Sequence, residues 1–260
     1  MDVLTADSKF VDVHAHMCDA SFDHDREAVL ARAGQAGVGA IIAVGEDLVD
    51  ARKNLSLARE HPMLRAAAGL YPTHLDWEQA QAMAAFIREH RSQLAAIGEV
   101  GLDFWAVQDA PDRDMQREIF KLFIGLSIEL GMPLNIHSRS AGRHAVAMLL
   151  ENNARQVHLH AFDGKTGAAL PAVEAGYYFS IPPSVVRSRQ KQKLVKQLPL
   201  SCLLVESDSP VLGPDPQERN EPANVLTALR AIAQIKAIPE NDVADAVTEN
   251  TECLYGLSMV

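Results

Sequence analysis

Eight short apolar runs, separated by segments of helical length, restrict this chain more than any other feature. The runs occupy residues 10–13, 40–44, 66–69, 95–100, 134–136, 156–159, 177–181 and 203–205. Between two of them, residues 25–36 space Ala28, Val29, Arg32 and Ala33 along one face. Residues 114–130 repeat Ile119, Leu122, Phe123, Leu126 and Leu130 at helical intervals. Continuous apolar strands alternating with amphipathic helices make a parallel sheet covered on its outer face. Eight such units in 260 residues describe a closed (β/α)8 barrel of the TIM type, an α/β fold. A doubly wound open sheet is the alternative. No repeat, low-complexity tract or Pro/Gly/Ser linker divides the chain, so residues 1–260 read as one barrel domain.

Composition narrows the function classes. At this length folding buries roughly 70–75% of the unfolded surface, enough for a core without covalent staples. The chain is 48% hydrophobic and 22% charged, which is ordinary for a globular protein. Lys and Arg total 24 against 34 Asp and Glu, a formal charge of −10, which speaks against broad nonspecific polyanion binding. No charge-free apolar stretch is long enough for a membrane span. Met1–Asp7 lacks the basic and apolar regions of a signal peptide. Cys18, Cys202 and Cys253 are odd in number and widely spaced, so neither a disulfide framework nor a Cys-x-x-Cys site is expected. A reducing cytoplasm is the expected setting.

The polar residues are informative by position, because several end an apolar strand, where barrel enzymes carry their chemistry. Run one continues into His14-Ala15-His16, and period-two geometry puts both imidazoles on one side, as a metal grip or as a polar pair in a turn. Glu99 stands inside the fourth run and needs a partner, either an Arg/Lys cation or a metal that it bridges. His137 ends the fifth run; His158 and His160 share a face in the sixth, with His160 nearer the strand end. Glu206 and Asp208 follow the eighth run, where Asp-Ser-Pro also suits a turn cap. Each has an ordinary structural explanation taken singly. Together, four histidines, a Glu and an Asp at one rim point to a metal site. Mixed imidazole and carboxylate ligands suit zinc, manganese, iron or cobalt better than calcium.

These residues, in this order, resemble the TatD family of metal-dependent deoxyribonucleases among the amidohydrolase-like barrels. The resemblance covers nearly the whole chain. It is carried by Asp12-Val13-His14-Ala15-His16, Gly98-Glu99-Val100-Gly101-Leu102-Asp103, Ile136-His137-Ser138-Arg139, His160-Ala161-Phe162-Asp163-Gly164, Glu206-Ser207-Asp208-Ser209-Pro210 and Arg219-Asn220-Glu221-Pro222. The stretches 138–143, 176–184 and 190–199 are similar to the third TatD-domain subgroup. The resemblance implies two divalent ions, zinc foremost, with magnesium, manganese or iron as the other candidates. It implies that His14, His16 and Asp208 hold one ion, that His137 and His160 hold the second, and that Glu99 bridges them.

The resemblance further implies two-metal hydrolysis of phosphodiester bonds, with DNA as substrate, Asp208 as ligand and proton acceptor, and Glu99 beside it in the catalytic pair. Arg139 would contact phosphate through its planar fork, or serve a structural ion pair. One departure stands out. The family carries Gly-x-His-Pro after strand three, and this chain reads Gly69-Leu70-Tyr71-Pro72-Thr73-His74, so the histidine's substrate contact is either lost or moved to His74. Asp163 likewise adds an acid near a polyanion site. The basic run Arg187, Arg189, Lys191, Lys193 and Lys196 is either a strand guide or a solvated helix face, and Trp77 and Trp105 either stack on bases or pack locally. Two competing functions remain: hydrolysis of a small phosphoester, amide or lactone by the same metals, and a noncatalytic metal-stabilised scaffold. No protein partner is inferred.

Overall fold

The computed structural model describes residues 9–257, so the Met1–Asp7 reading lies outside the described residues. Eight parallel strands follow one another in sheet order: β1 (Phe10–Ala15), β2 (Val38–Ala43), β3 (Leu64–Ala68), β4 (Ala96–Gly101), β5 (Leu134–His137), β6 (Val157–Leu159), β7 (Tyr178–Ile181) and β8 (Leu203–Val205). Every expected run overlaps one of them, and the closed barrel replaces the open-sheet alternative. The helices are α1 (Arg26–Gln35), α2 (Leu48–Glu60), α3 (Trp77–His90), α4 (Ala110–Leu130), α5 (Gly142–Glu151), α6 (Thr166–Glu174), α7 (Arg189–Gln197), α8 (Val225–Lys236) and α9 (Glu240–Tyr255). Among the described residues, no helix is long and apolar enough to cross a membrane.

Local chemistry starts and stops these elements. Asp47 caps α2 by accepting from Val49 and Asp50 N–H, and Asp76 caps α3 in the same way from Glu78 and Gln79. The 21-residue α4 begins four residues before the expected 114, because Pro111 fits a first helical turn, and it ends on Gly131 at φ 62°.

The barrel has two apolar layers. Outward residues such as Ile41, Ile136 and Val205 pack under the helices. A smaller interior cluster joins Val11, Val13, Ile42, Ala67 and Leu204 to Leu254 and Tyr255 at the end of α9. With Val11 and Val13 facing inward, strict alternation would turn His14 outward. The register of β1 against β2 shifts between Asp12 and Ala15, and His14 reaches the interior at the rim. The seam between β8 and β1 closes just past the strand ends: Asp208 N–H donates to His14 C=O at 2.9 Å, and His16 N–H donates to Ser209 C=O at 2.8 Å.

Candidate metal centre

Glu99, only 1% exposed, is the hub of the site. Its Oε1 lies 2.6 Å from His137 Nδ1 and 2.9 Å from His160 Nε2. Its Oε2 lies 3.4 Å from His16 Nε2 and 3.7 Å from His14 Nε2. Asp208 Oδ1 faces the same two nitrogens, 3.4 Å from His14 and 3.6 Å from His16. The structure thus brings together all six residues singled out as ligands in the sequence.

Two groups place their ligand atoms within 4.8 Å of one another: His14 with His16 and Asp208, and His14 with Glu99 and His160. The first is the set implied for one ion. The second contains His14 because its ring stacks on that of His160, with centroids 3.8 Å apart. His137 stands alongside, its Nδ1 3.4 Å from His160 Nε2.

Buried polar groups stand behind three of the imidazoles and hydrogen-bond two of them. Asn135 Oδ1 accepts from His14 Nδ1 at 2.8 Å, and Asn135 Nδ2 donates to Val13 C=O, which fixes the amide's direction. Asp103 Oδ2 lies 3.0 Å from His137 Nε2. Glu206 Oε2 lies 3.5 Å from His160 Nδ1, and Glu206 is itself held by Ser180 O–H and Ala161 N–H. The Asn135 and Asp103 contacts set the tautomer and direct the other ring nitrogen into the site, whereas His160 Nδ1 faces Glu206 without a hydrogen bond. His158 is different: its Nδ1 lies 2.7 Å from the Tyr255 hydroxyl, its Nε2 N–H donates to Ser180 Oγ, and it supplies no atom to either ligand group.

A metal fits this donor set. His14 Nε2 and Glu99 Oε2 are buried and have no hydrogen-bond partner. Each such atom costs about 1–3 kcal/mol unless something satisfies it. Both face the centre, and imidazole nitrogen with carboxylate oxygen is a transition-metal donor set.

The charges carry the same message. Burial, reinforced by His160, holds His14 well below the usual histidine range, so its imidazole is neutral. Burial opposes charge on Glu99 as well, yet His160, His137 and His14 hold its carboxyl well below the usual range. Burial also disfavours protonated His16, but Glu99 and Asp208 outweigh it and lift His16 to about 9. His160 is raised against burial by Glu99 and Glu206, and His137 by Glu99 and Asp103. Burial pushes Asp208 up to about 6 against His160 and His16. Without an ion, protons on the histidines balance the carboxylates; a divalent cation at the same place would release them.

The other candidates divide. A cavity of about 560 Å³ opens onto the site, lined by His137, Arg139, His160, Asp163, Lys191 and Asp208 among others. Arg139 stands at its edge with its guanidinium 3.6 Å above the Trp105 ring, and among the described residues it has no ion pair. Asp163 accepts from Ser140 N–H at 2.9 Å. His74 lies in the turn after β3, outside that cavity lining, and its N–H donates to Tyr71 C=O. Tyr71 itself packs edge-on against His137, with centroids 4.9 Å apart. Trp105 is exposed beneath Arg139, and Trp77 begins α3. In the basic run, Arg187, Arg189, Lys193 and Lys196 are exposed and Lys191 alone is drawn inward.

Sequence reasoning assigns no role to Asn135 or Asp103. Asn135 carries a usable signal, since it lies two residues before His137 and shares its side of β5. Asp103 is visible only as the last residue of the 98–103 motif, and its contact with His137 forms only once β4 and β5 pair.

Comparison with known proteins gives one consistent result. The family model described as TatD related DNase matches residues 11–256. Deoxyribonuclease TATDN3 of Homo sapiens is 40% identical over 257 residues, covering 94% of each chain. The uncharacterized metal-dependent hydrolase YabD of Bacillus subtilis is 31% identical, covering 95% of this chain and 99% of its own. The crystal structure of YjjV, a TatD homolog from Escherichia coli, superposes with a TM-score of 0.89 at 26% identity, covering 96% of this chain and 99% of the other.

Proposed function

This chain belongs to the TatD related DNase family, and from that premise we propose that it is a divalent-metal-dependent hydrolase that cleaves phosphodiester bonds in DNA. The observation that carries the reading is the meeting of His14, His16, His137, His160 and Asp208 around a buried Glu99, with ligand atoms on His14 and Glu99 left unsatisfied by the protein.

The donor set favours two ions, zinc before manganese, iron or magnesium. His14, His16 and Asp208 would hold one, His137 and His160 the other, with Glu99 between them. Bound there, divalent ions supply Lewis acidity and a water-derived nucleophile near neutral pH. Asp208 would accept the proton of the attacking water at its carboxylate. Asn135 and Asp103 hold the His14 and His137 rings in place while charge develops. Arg139, preoriented on Trp105, offers its fork to a phosphate oxygen. The three free thiols suit a reducing cytoplasm.

One observation favours a smaller phosphoester, or an amide or lactone, as the substrate: Tyr71 fills the place of the family's histidine against His137. Burial, then Glu99 and Asp103, keep the Tyr71 phenol raised and therefore neutral, so it adds no cation for a polyanion.

The test is DNA cleavage by metal-reconstituted protein beside an identically prepared Asp208→Asn variant. Cleavage that disappears in the variant supports the nuclease and its proton acceptor. Cleavage by both points to another acceptor. No cleavage by a metal-loaded parent that turns over small esters or amides overturns the DNA reading.

A further inference from the structure

Lys191 is the exception in its own basic run. The other four cations between positions 187 and 196 are exposed, whereas Lys191 is partly buried and lines the cavity that holds His160 and Asp208. Its Nζ donates to Ala161 C=O at 2.9 Å. Among the described residues that carbonyl is its only hydrogen-bond acceptor, and no carboxylate lies within 4.0 Å of it.

An ammonium group has three donors, and withdrawing it from water is costly unless a counter-charge arrives. The fold nevertheless holds this one in place. Leu194 and Val195 bury the inner face of α7, Ser188 Oγ accepts from Lys191 N–H at the helix start, and Gln190 Nε2 donates to Gly164 C=O at 2.7 Å. The backbone that carries the lysine is therefore fixed against the loop after β6, and the Ala161 carbonyl holds its ammonium toward the cavity. Burial lowers the Lys191 amine below its usual range; Glu206, Asp163 and Asp208 work against that without cancelling it, and Arg187 adds to it. All three acids have other partners or duties: Glu206 takes Ser180 and Ala161, Asp163 takes Ser140, and Asp208 faces His14 and His16. The charge on Lys191 is thus left for a ligand.

We propose that Lys191 is the phosphate contact of the active-site cavity, its ammonium binding a nonbridging oxygen of the substrate phosphate that enters beside His160 and Asp208. The proposal rests on the phosphodiesterase reading for its substrate, but the contact itself concerns any phosphate group. Arg139 is the second cation on the cavity wall, and it is stacked on Trp105. A point charge on a rigid helix start and a planar fork on an aromatic ring divide the work of holding one anion.

The test compares the metal-loaded parent with Lys191→Met, Lys191→Arg and, as a control for lost charge, Lys121→Met on the exposed face of α4. Binding of inorganic phosphate is measured by calorimetry, with metal content determined on the same samples. Lys191→Met should weaken phosphate about tenfold or more, the size of one charge-assisted bond. Lys191→Arg should recover part of that affinity, and Lys121→Met should match the parent. KM for an oligonucleotide should rise in parallel with little change in kcat, and the salt dependence of binding should lose about 0.7–0.9 in slope. Unchanged phosphate affinity in Lys191→Met overturns the proposal. So does lost metal with phosphate affinity restored on reloading, which would make the lysine a prop for Ala161 alone. If the parent cleaves no DNA while phosphate binding still depends on Lys191, the nuclease reading falls and the phosphate contact stands.

Discussion

The backbone N–H of Asp208 donates to the carbonyl of His14 at 2.9 Å, so the bond that closes the barrel also joins two of its proposed metal ligands. Three further bonds reinforce it. His16 N–H reaches Ser209 C=O, and Asp12 Oδ1 accepts from both Ser207 N–H at 2.8 Å and His14 N–H at 3.2 Å. Asp208 sits at φ 54°, a left-handed conformation that this clamp sustains. Closing the fold and assembling the site are therefore the same event at this seam.

Asp12 gives a direct test of that coupling. Burial lifts its carboxyl to about 8, so at pH 7 it is largely a neutral acid. Asp12→Asn preserves an acceptor oxygen and should change unfolding stability by less than about 1 kcal/mol. Asp12→Leu strands the N–H groups of Ser207 and His14 and should cost about 2–4 kcal/mol. Urea titration of the metal-free proteins separates the two. Equal stability of Asp12→Leu and the parent would show that the seam does not depend on this clamp.

Asn135 holds His14 rather than any ion. Asn135→Leu removes the acceptor for His14 Nδ1 and frees the ring to turn. Metal affinity should fall by about 10–100-fold, the usual effect of losing an orienting partner. Competition against a chromophoric chelator measures it. Because Asn135 also donates to Val13, a modest loss of stability should accompany the effect, and it should persist with saturating metal.

What the sequence makes legible depends on the kind of contact involved. The barrel is legible, because each strand buries a local apolar run that reads without knowledge of its neighbours. The end of β1 is not: it runs on to Ala15 through the polar His14, and only the register shift against β2 explains how His14 turns inward. The six rim residues can be picked out because five of them stand at or just past a strand end and Glu99 is a lone carboxylate inside an apolar run. Their orienting contacts cannot, since Asp103 meets His137 across 34 positions and Asn135 meets His14 across 121: the sequence shows Asn135 on the His137 side of β5 but not the ring it holds. Lys191 is visible only as one of five basic residues, and the turn of α7 that draws it inward is a property of the packed helix.

Gly101 marks where the rim tolerates no side chain. Its φ is 144°, and a Cβ there would lie 2.1 Å from the His137 carbonyl oxygen. That oxygen accepts from Leu102 N–H, and Gly101 pairs with His137 in the β4–β5 register. Gly101→Ala should therefore push β5 away from Glu99 and cost about 2–4 kcal/mol through overpacking and backbone strain. A shifted urea midpoint with weaker metal binding is the expected pair of results. A folded variant with parental metal affinity would mean that β5 moves without carrying His137.

The pH dependence of the centre has opposite signs with and without metal. In the metal-free protein, His16 is lifted to about 9 by Glu99 and Asp208 against burial, and His137 and His160 are raised as well. A raised histidine adds stability that is fully present below its unfolded pKa of ~6.5 and is lost as pH climbs through the folded value. The metal-free protein should therefore lose stability between about pH 6.5 and 9. Metal must displace those protons, so its affinity should rise over the same interval. Thermal unfolding with chelator and with added zinc, scanned across this range, should show Tm falling in the first series and the gap between the two series widening. A gap that stays constant with pH would mean that the ion enters without releasing protons, and that the histidines around Glu99 are neutral before it arrives.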